Sequence, residues 1–143
     1  MKRTASNMDE LNAMLISEMR KAMSLASNQM LPDMYGETYK FYTKGKPKEY
    51  ERTGALGDTP KTTAVSSSGN VVSFKAYLDT SGGYTTGDNP SMTQVLDLAN
   101  YGKPWTTKSG SPARATLGKK GFWERAEKKM QRTLDRTMRQ FFN

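Results

Sequence analysis

The side chains most suited to chemistry in this chain are basic. Lys128, Lys129, Arg132, Arg136 and Arg139 recur at near-helical spacing after Arg125, an arrangement that can meet successive phosphates or an acidic protein surface. Glu124, Glu127 and Asp135 interrupt the run, so the same residues also fit the solvated side of an amphipathic helix. A second group is aromatic: Tyr35, Tyr39, Phe41, Tyr42 and Tyr50 stand among lysines. Such residues can stack bases, but their spacing matches no RNA-binding signature. Tyrosines anchoring an oligomer interface are the preferred reading, with Trp105 as a further large anchor.

Catalytic templates find little to use. The chain has no histidine and no cysteine, which removes the commonest general base near neutral pH, the commonest zinc ligand, disulfides and thiolate nucleophiles. The carboxylates Glu37, Glu49, Glu51, Asp58, Asp79, Asp88 and Asp97 form no recognisable acid–base pair. Asp79 and Asp88-Asn89 lack the spaced ligands and closing glutamate of a calcium loop. Gly54 and Gly82-Gly83 are too isolated for a phosphate loop. The expectation is a protein that is not an enzyme and takes no cofactor or metal.

The elements that must carry these residues fit one domain over 1–143. Only 35% of the residues are hydrophobic and mean hydropathy is -0.78, which implies a thin core that neighbours would complete. The formal charge is +8. From Arg114 onward nine basic residues face three acidic ones, a net +6, and the rest of the chain carries +2. The longest apolar run, Ala13 to Ile16, is far short of the roughly 20 residues of a membrane span. Asp9, Glu10, Asn12 and Glu18 interrupt the apolar stretch after Lys2 and Arg3, so a secretory signal is not expected.

An apolar stripe at Met8, Leu11, Leu15, Met19, Ala22, Ala26 and Met30 predicts a helix over 8–31, with Asn7 as its cap and Pro32 as its stop. The methionines of this helix suit an ordinary core better than an adaptable groove. Residues 33–60 read as a long interface loop. A hairpin follows over 62–79, turning at Ser66–Asn70, with Val72, Phe74, Ala76 and Leu78 on its buried face. Ser91 opens a short helix over 91–100, ended by Gly102. A last helix over 122–142 places Phe122, Ala126, Met130, Leu134, Met138 and Phe141 on one face. The fold class is α+β: a small twisted antiparallel sheet packed against a long N-terminal helix and a C-terminal helix, with long interface loops.

Tyr50-Glu51-Arg52-Thr53-Gly54-Ala55-Leu56 resembles the tyrosine, arginine-threonine-glycine, leucine signature of small neck proteins of tailed bacteriophages, the head–tail joining or tail-completion proteins. Leu98-Ala99-Asn100-Tyr101-Gly102 is similar to that family's aromatic-glycine ending of a short helix, with Asn100 where the family usually has an acidic residue. Gly121-Phe122-Trp123-Glu124-Arg125-Ala126 resembles the opening of its final helix. The resemblance implies a virion subunit, made in the host cytoplasm, that forms a homo-oligomeric ring of six between portal-side and tail-side proteins. Phage DNA would pass through the lumen, with no membrane involved. It also implies that Arg52, Thr53 and Gly54 organise the interface loop while Tyr50 and Leu56 pack it down. A tail terminator ring and a free-standing nucleic-acid-binding protein are the alternatives.

Overall fold

The structure is a computed structural model that describes residues 4–41, 56–81, 91–101 and 120–143. It has the expected α+β class: the described residues form three helices and two short antiparallel ladders.

Helix α1 spans Met8–Lys40. Asn7, extended at φ -154°, accepts the Glu10 backbone N–H on its side-chain oxygen at 2.9 Å, while the Glu10 carboxylate accepts from the Ser6 backbone N–H and hydroxyl. These contacts satisfy donors that a helix start leaves open. The expected stop at Pro32 does not occur, and the helix runs through it for two more turns. Pro32 and Asn28 both lie on the exposed side, so the carbonyl that loses its N–H partner can be hydrated. On the opposite side Met34, Glu37, Thr38 and Phe41 are buried, continuing the three- and four-residue spacing of Ala26 and Met30. Burial of that side outweighs the proline penalty. Nine residues assigned to the interface loop are therefore helix or its 3-10 end.

Strands β1 (Pro60–Thr62), β2 (Ser66–Ser68), β3 (Val71–Ser73) and β4 (Ala76–Leu78) form two ladders, β1 with β4 and β2 with β3. Pro60 pairs with Leu78 and Ser66 with Ser73, so they are the base and tip of one interrupted hairpin. Between them residues 63–65 face only 74–75, an extra residue on one arm that bends the ribbon. The turn is tighter than expected: Ser66–Ser68 are strand, and only Gly69 and Asn70 turn, with Gly69 at φ 58°. A two-residue turn needs this left-handed conformation, which glycine adopts without steric cost. Val72 is buried and Phe74, Ala76 and Leu78 are half-buried, whereas Val71, Ser73, Lys75 and Tyr77 are exposed. The expected alternation holds.

Helix α2 spans Met92–Tyr101 and α3 spans Phe122–Phe142. Phe41, Leu56, Met92, Leu96, Ala99 and Phe122 form one apolar cluster; Ala26, Met30, Met34, Ala126 and Met130 form another. Leu78 and Trp123 pack against both and join them. Helix α3 runs antiparallel to α1, since Thr133 meets Asp33 and Thr137 meets Gln29. Its buried line turns from Met130 to Thr133 and Thr137, leaving Leu134, Met138 and Phe141 half-buried. The Thr137 hydroxyl reaches the Thr133 carbonyl at 2.8 Å and Gln29 Oε1 at 3.3 Å. Close to α1, threonine fits where a larger apolar side chain was expected.

Candidate functional site

The most elaborate polar site is built around Glu37, which the sequence placed in a loop and assigned no role. On the buried side of α1 its side chain is 1% exposed. Oε2 accepts from Arg125 Nε at 2.8 Å, and Oε1 accepts from Lys129 Nζ at 2.6 Å and Lys40 Nζ at 2.8 Å. Two of the cations come from α3, one helical turn apart. Burial alone would raise the carboxyl's pKa, but hydrogen bonds from Lys129, Lys40 and Arg125 outweigh it and hold the pKa at about 2. The bond to Glu37 in turn raises the pKa of Lys129. At neutral pH Glu37 is a permanent anion saturated by cations, suited to locking two helices together and unsuited to proton transfer.

A second polar contact sets the start of α3. Gly121 at its N-cap has φ 75° and offers no side-chain cap. The missing acceptor comes from α2: Asn100 Oδ1 accepts from the Trp123 backbone N–H at 2.9 Å, and the Asn100 carbonyl accepts from Gly121 N–H at 2.9 Å. Asn100 Nδ2 also donates to Glu124 Oε1 at 3.1 Å. Thus the asparagine that stands where the neck proteins usually have an acidic residue caps a neighbouring helix and also uses its amide as a donor.

The basic residues of α3 divide between two roles. Arg125 and Lys129, expected to face DNA or an acidic partner, are instead engaged with Glu37, and Arg125 Nη1 also donates to the Lys120 carbonyl at 2.6 Å. Lys128, Arg132, Arg136 and Arg139 are exposed, and no ion pair among the described residues holds these three arginines. With Asp135 and Gln140 the arginines line a shallow concavity of about 450 Å³.

Of the expected interface residues, Tyr39 is exposed at the end of α1. Its hydroxyl donates to Asp58 Oδ1 at 3.0 Å, and its ring stacks with Tyr35. The ring also lies so close to Gly57 that a Cβ there would come within 2.6 Å of it. Leu56 packs down, but into the chain's own core at 2% exposure rather than at a surface. Tyr42, Tyr50, Arg52, Thr53, Gly54 and Trp105 lie outside the described residues, as do Asp88 and Asn89. Asp79, weighed as a calcium ligand, accepts from the backbone N–H and hydroxyl of Ser81. Among the described residues no cluster of acidic side chains is arranged to hold a metal ion, and no helix is long and apolar enough to cross a membrane.

The family model described as YomN matches residues 7–143. The chain belongs to the YomN family. That family is phage-associated. No curated protein and no solved structure matches the chain. The YomN match covers α1, the hairpin, α2 and α3, so the Glu37 lock, the Asn100 cap and the exposed arginines all lie within the family's extent.

The surface the sequence reading missed lies at the beginning of α1. Helix α1 has 33 residues and α3 has 21. The four-residue steps from Asp33–Thr133 to Gln29–Thr137 bring Phe142 level with the turn around Ser24. Before that turn the apolar stripe continues without α3 beside it: Met8 is 68% exposed, Leu11 39% and Leu15 46%. Periodicity placed all three in the core, because it identifies a face and not the length of its cover.

Proposed function

We propose that this chain is a non-catalytic structural subunit of a phage virion, one member of a ring in the neck that joins the DNA-filled head to the tail and lets DNA pass. The observation that carries this reading is the start of α1, where the stripe used inside the subunit for packing continues onto the surface at Met8, Leu11 and Leu15. An apolar helix face of this kind is stabilised when another chain covers it. The phage association of the YomN family supplies the setting, and the Tyr50–Leu56 signature with the order of the helices supplies the neck assignment. The reading predicts that the protein is present in purified particles and assembles into a ring. Without it, filled heads and tails would accumulate unjoined, as seen by electron microscopy. A strictly monomeric protein absent from particles would refute the proposal; density capping the tail tube would assign the chain to a terminator ring instead.

The exposure of Arg132, Arg136 and Arg139 without ion pairs among the described residues favours a second reading, a free-standing nucleic-acid-binding protein. Duplex binding should then weaken steeply as salt rises. No binding at low ionic strength would dismiss this reading.

A further inference from the structure

We infer that the outward face of α3 is a contact for the phosphate backbone of duplex DNA, made by Lys128, Arg132, Arg136 and Arg139 without reading sequence. The inference rests on the neck reading for its partner, the DNA that passes the ring, and assigns the surface of the chain that meets it.

The spacing of the cations is the first ground. At about 100° per residue, Arg125, Lys128, Arg132, Arg136 and Arg139 fall within about 80° of one another around the α3 axis. No other residue of Phe122–Phe142 lies in that sector, so the line is basic throughout. From Lys128 to Arg139 it runs about 16 Å at the usual helical rise, the axial length of about five phosphates on one strand. Cations spread over that length match a regular polyanion better than a single small anion.

The positive charge survives a count of the whole helix. Over α3 six basic side chains stand against Glu124, Glu127 and Asp135, a net +3. All three acids lie outside the basic sector. Asp135, at its edge, accepts from Gln131 Nε2 at 2.9 Å, and Gln131 lies on the side of Asp135 away from the arginines. From α1, Glu37 and Asp33 meet the inner side of α3, where Arg125 and Lys129 answer Glu37 and the Thr133 hydroxyl answers Asp33. No ion pair among the described residues engages Lys128, Arg132, Arg136 or Arg139, and all four are exposed.

The surroundings favour DNA over an acidic protein. A protein partner needs apolar or aromatic anchors at the centre of its contact, and the basic sector contains none. Phe142, 46% exposed, lies about 60° around the axis from Arg139. A backbone contact is polar and cationic throughout, and each guanidinium can donate two parallel hydrogen bonds to phosphate oxygens. With no aromatic ring in the line to stack on a base, the contact positions DNA and carries no sequence information.

Anisotropy of short labelled duplexes, measured with the full-length protein between about 50 and 200 mM salt, tests the contact. Duplexes of unrelated sequence should bind alike, with log affinity falling against log salt at a slope of about -3 to -4 per chain. Arg132→Gln with Arg136→Gln should make that slope shallower by about two and lower the affinity at low salt about tenfold or more. Lys61→Gln with Lys75→Gln removes the same charge from exposed positions on the hairpin and should change affinity by no more than about twofold. Circular dichroism and the urea midpoint should be the same in both variants as in wild type.

Absence of duplex binding at low salt, a marked preference for one sequence, or an equal loss in the two variants overturns the contact. If the arginine variant binds duplex like wild type but no longer enters particles, the face serves an acidic protein neighbour and the DNA contact is wrong. A wild-type chain that forms rings in particles yet binds no duplex removes the contact and leaves the neck reading standing. One that binds duplex as expected but is monomeric and absent from particles removes the ring and leaves the contact.

Discussion

Glu37 shows how much one buried charge can contribute when its partners are in place. Its pKa is about 2 in the folded chain against an ordinary value of 4.5, so its contribution is fully present above about pH 5. That contribution is lost as pH falls towards 2, when the unfolded chain takes up the proton first. The difference corresponds to about 3 kcal/mol. Urea titrations should find wild-type stability falling over that window, with a much flatter acid response in Glu37→Gln. At neutral pH Glu37→Gln should cost about 3 kcal/mol, because it removes the buried charge that three partly exposed cations share; an unchanged urea midpoint would show that the cluster contributes nothing. Asn100 acts more locally. Asn100→Ala should cost about 1–2 kcal/mol, the usual range for a lost helix cap. Asn100→Asp keeps an acceptor for Trp123 N–H but sets a carboxylate against Glu124, so it should be less stable than wild type at pH 7 and partly recover near pH 4 in thermal melts.

Among the elements, α1 decides the architecture, and Pro32 is its test. A proline inside a helix costs about 3 kcal/mol in local terms and recovers up to about 1 kcal/mol by restricting the unfolded chain. Pro32→Ala should therefore raise stability by about 2 kcal/mol in urea titrations without altering the helix content seen by circular dichroism. A fall in stability would mean that the proline's geometry is needed where α1 passes the hairpin. The strict alternation from Val72 to Leu78 was legible in the sequence, and so were the limits of α3, because each depends on local periodicity and on Gly121. The continuation of α1 was not, because a helix-breaking signal competes there with burial of Met34, Glu37 and Thr38, and burial is a property of partners distant in sequence. The spacing of Met30, Met34, Glu37 and Phe41 was the available sign of that continuation.

At the scale of the whole molecule, the two apolar clusters among the described residues are small, and part of the long helix α1 lies outside them. Such a chain should gain stability on assembly, since anything that binds only the folded form shifts the equilibrium towards it. Its melting temperature should therefore rise with protein concentration, checked by calorimetry across a hundredfold range; a concentration-independent value with a constant monomer mass would contradict the ring. Belonging to the YomN family sets this expectation in a phage context, and the division of α3 into an inward lock and an outward basic face shows which residues remain available to a partner.

Composition and periodicity by themselves determined the α+β class, the hairpin's buried face and the extent of the last helix, because all three follow from the spacing of apolar side chains along a short stretch. Only the tertiary structure decided the fate of individual charges. Arg125 and Lys129 belong to the same basic run as Arg132 and Arg136, yet helix packing aims the first two at Glu37, 88 and 92 positions earlier, and leaves the others on the surface. The same holds for apolar residues: Met8, Leu11 and Leu15 share a stripe with Ala26 and Met30, but α3 is too short to cover it all. What a side chain does was set by where its neighbour ends, a quantity no local pattern contains.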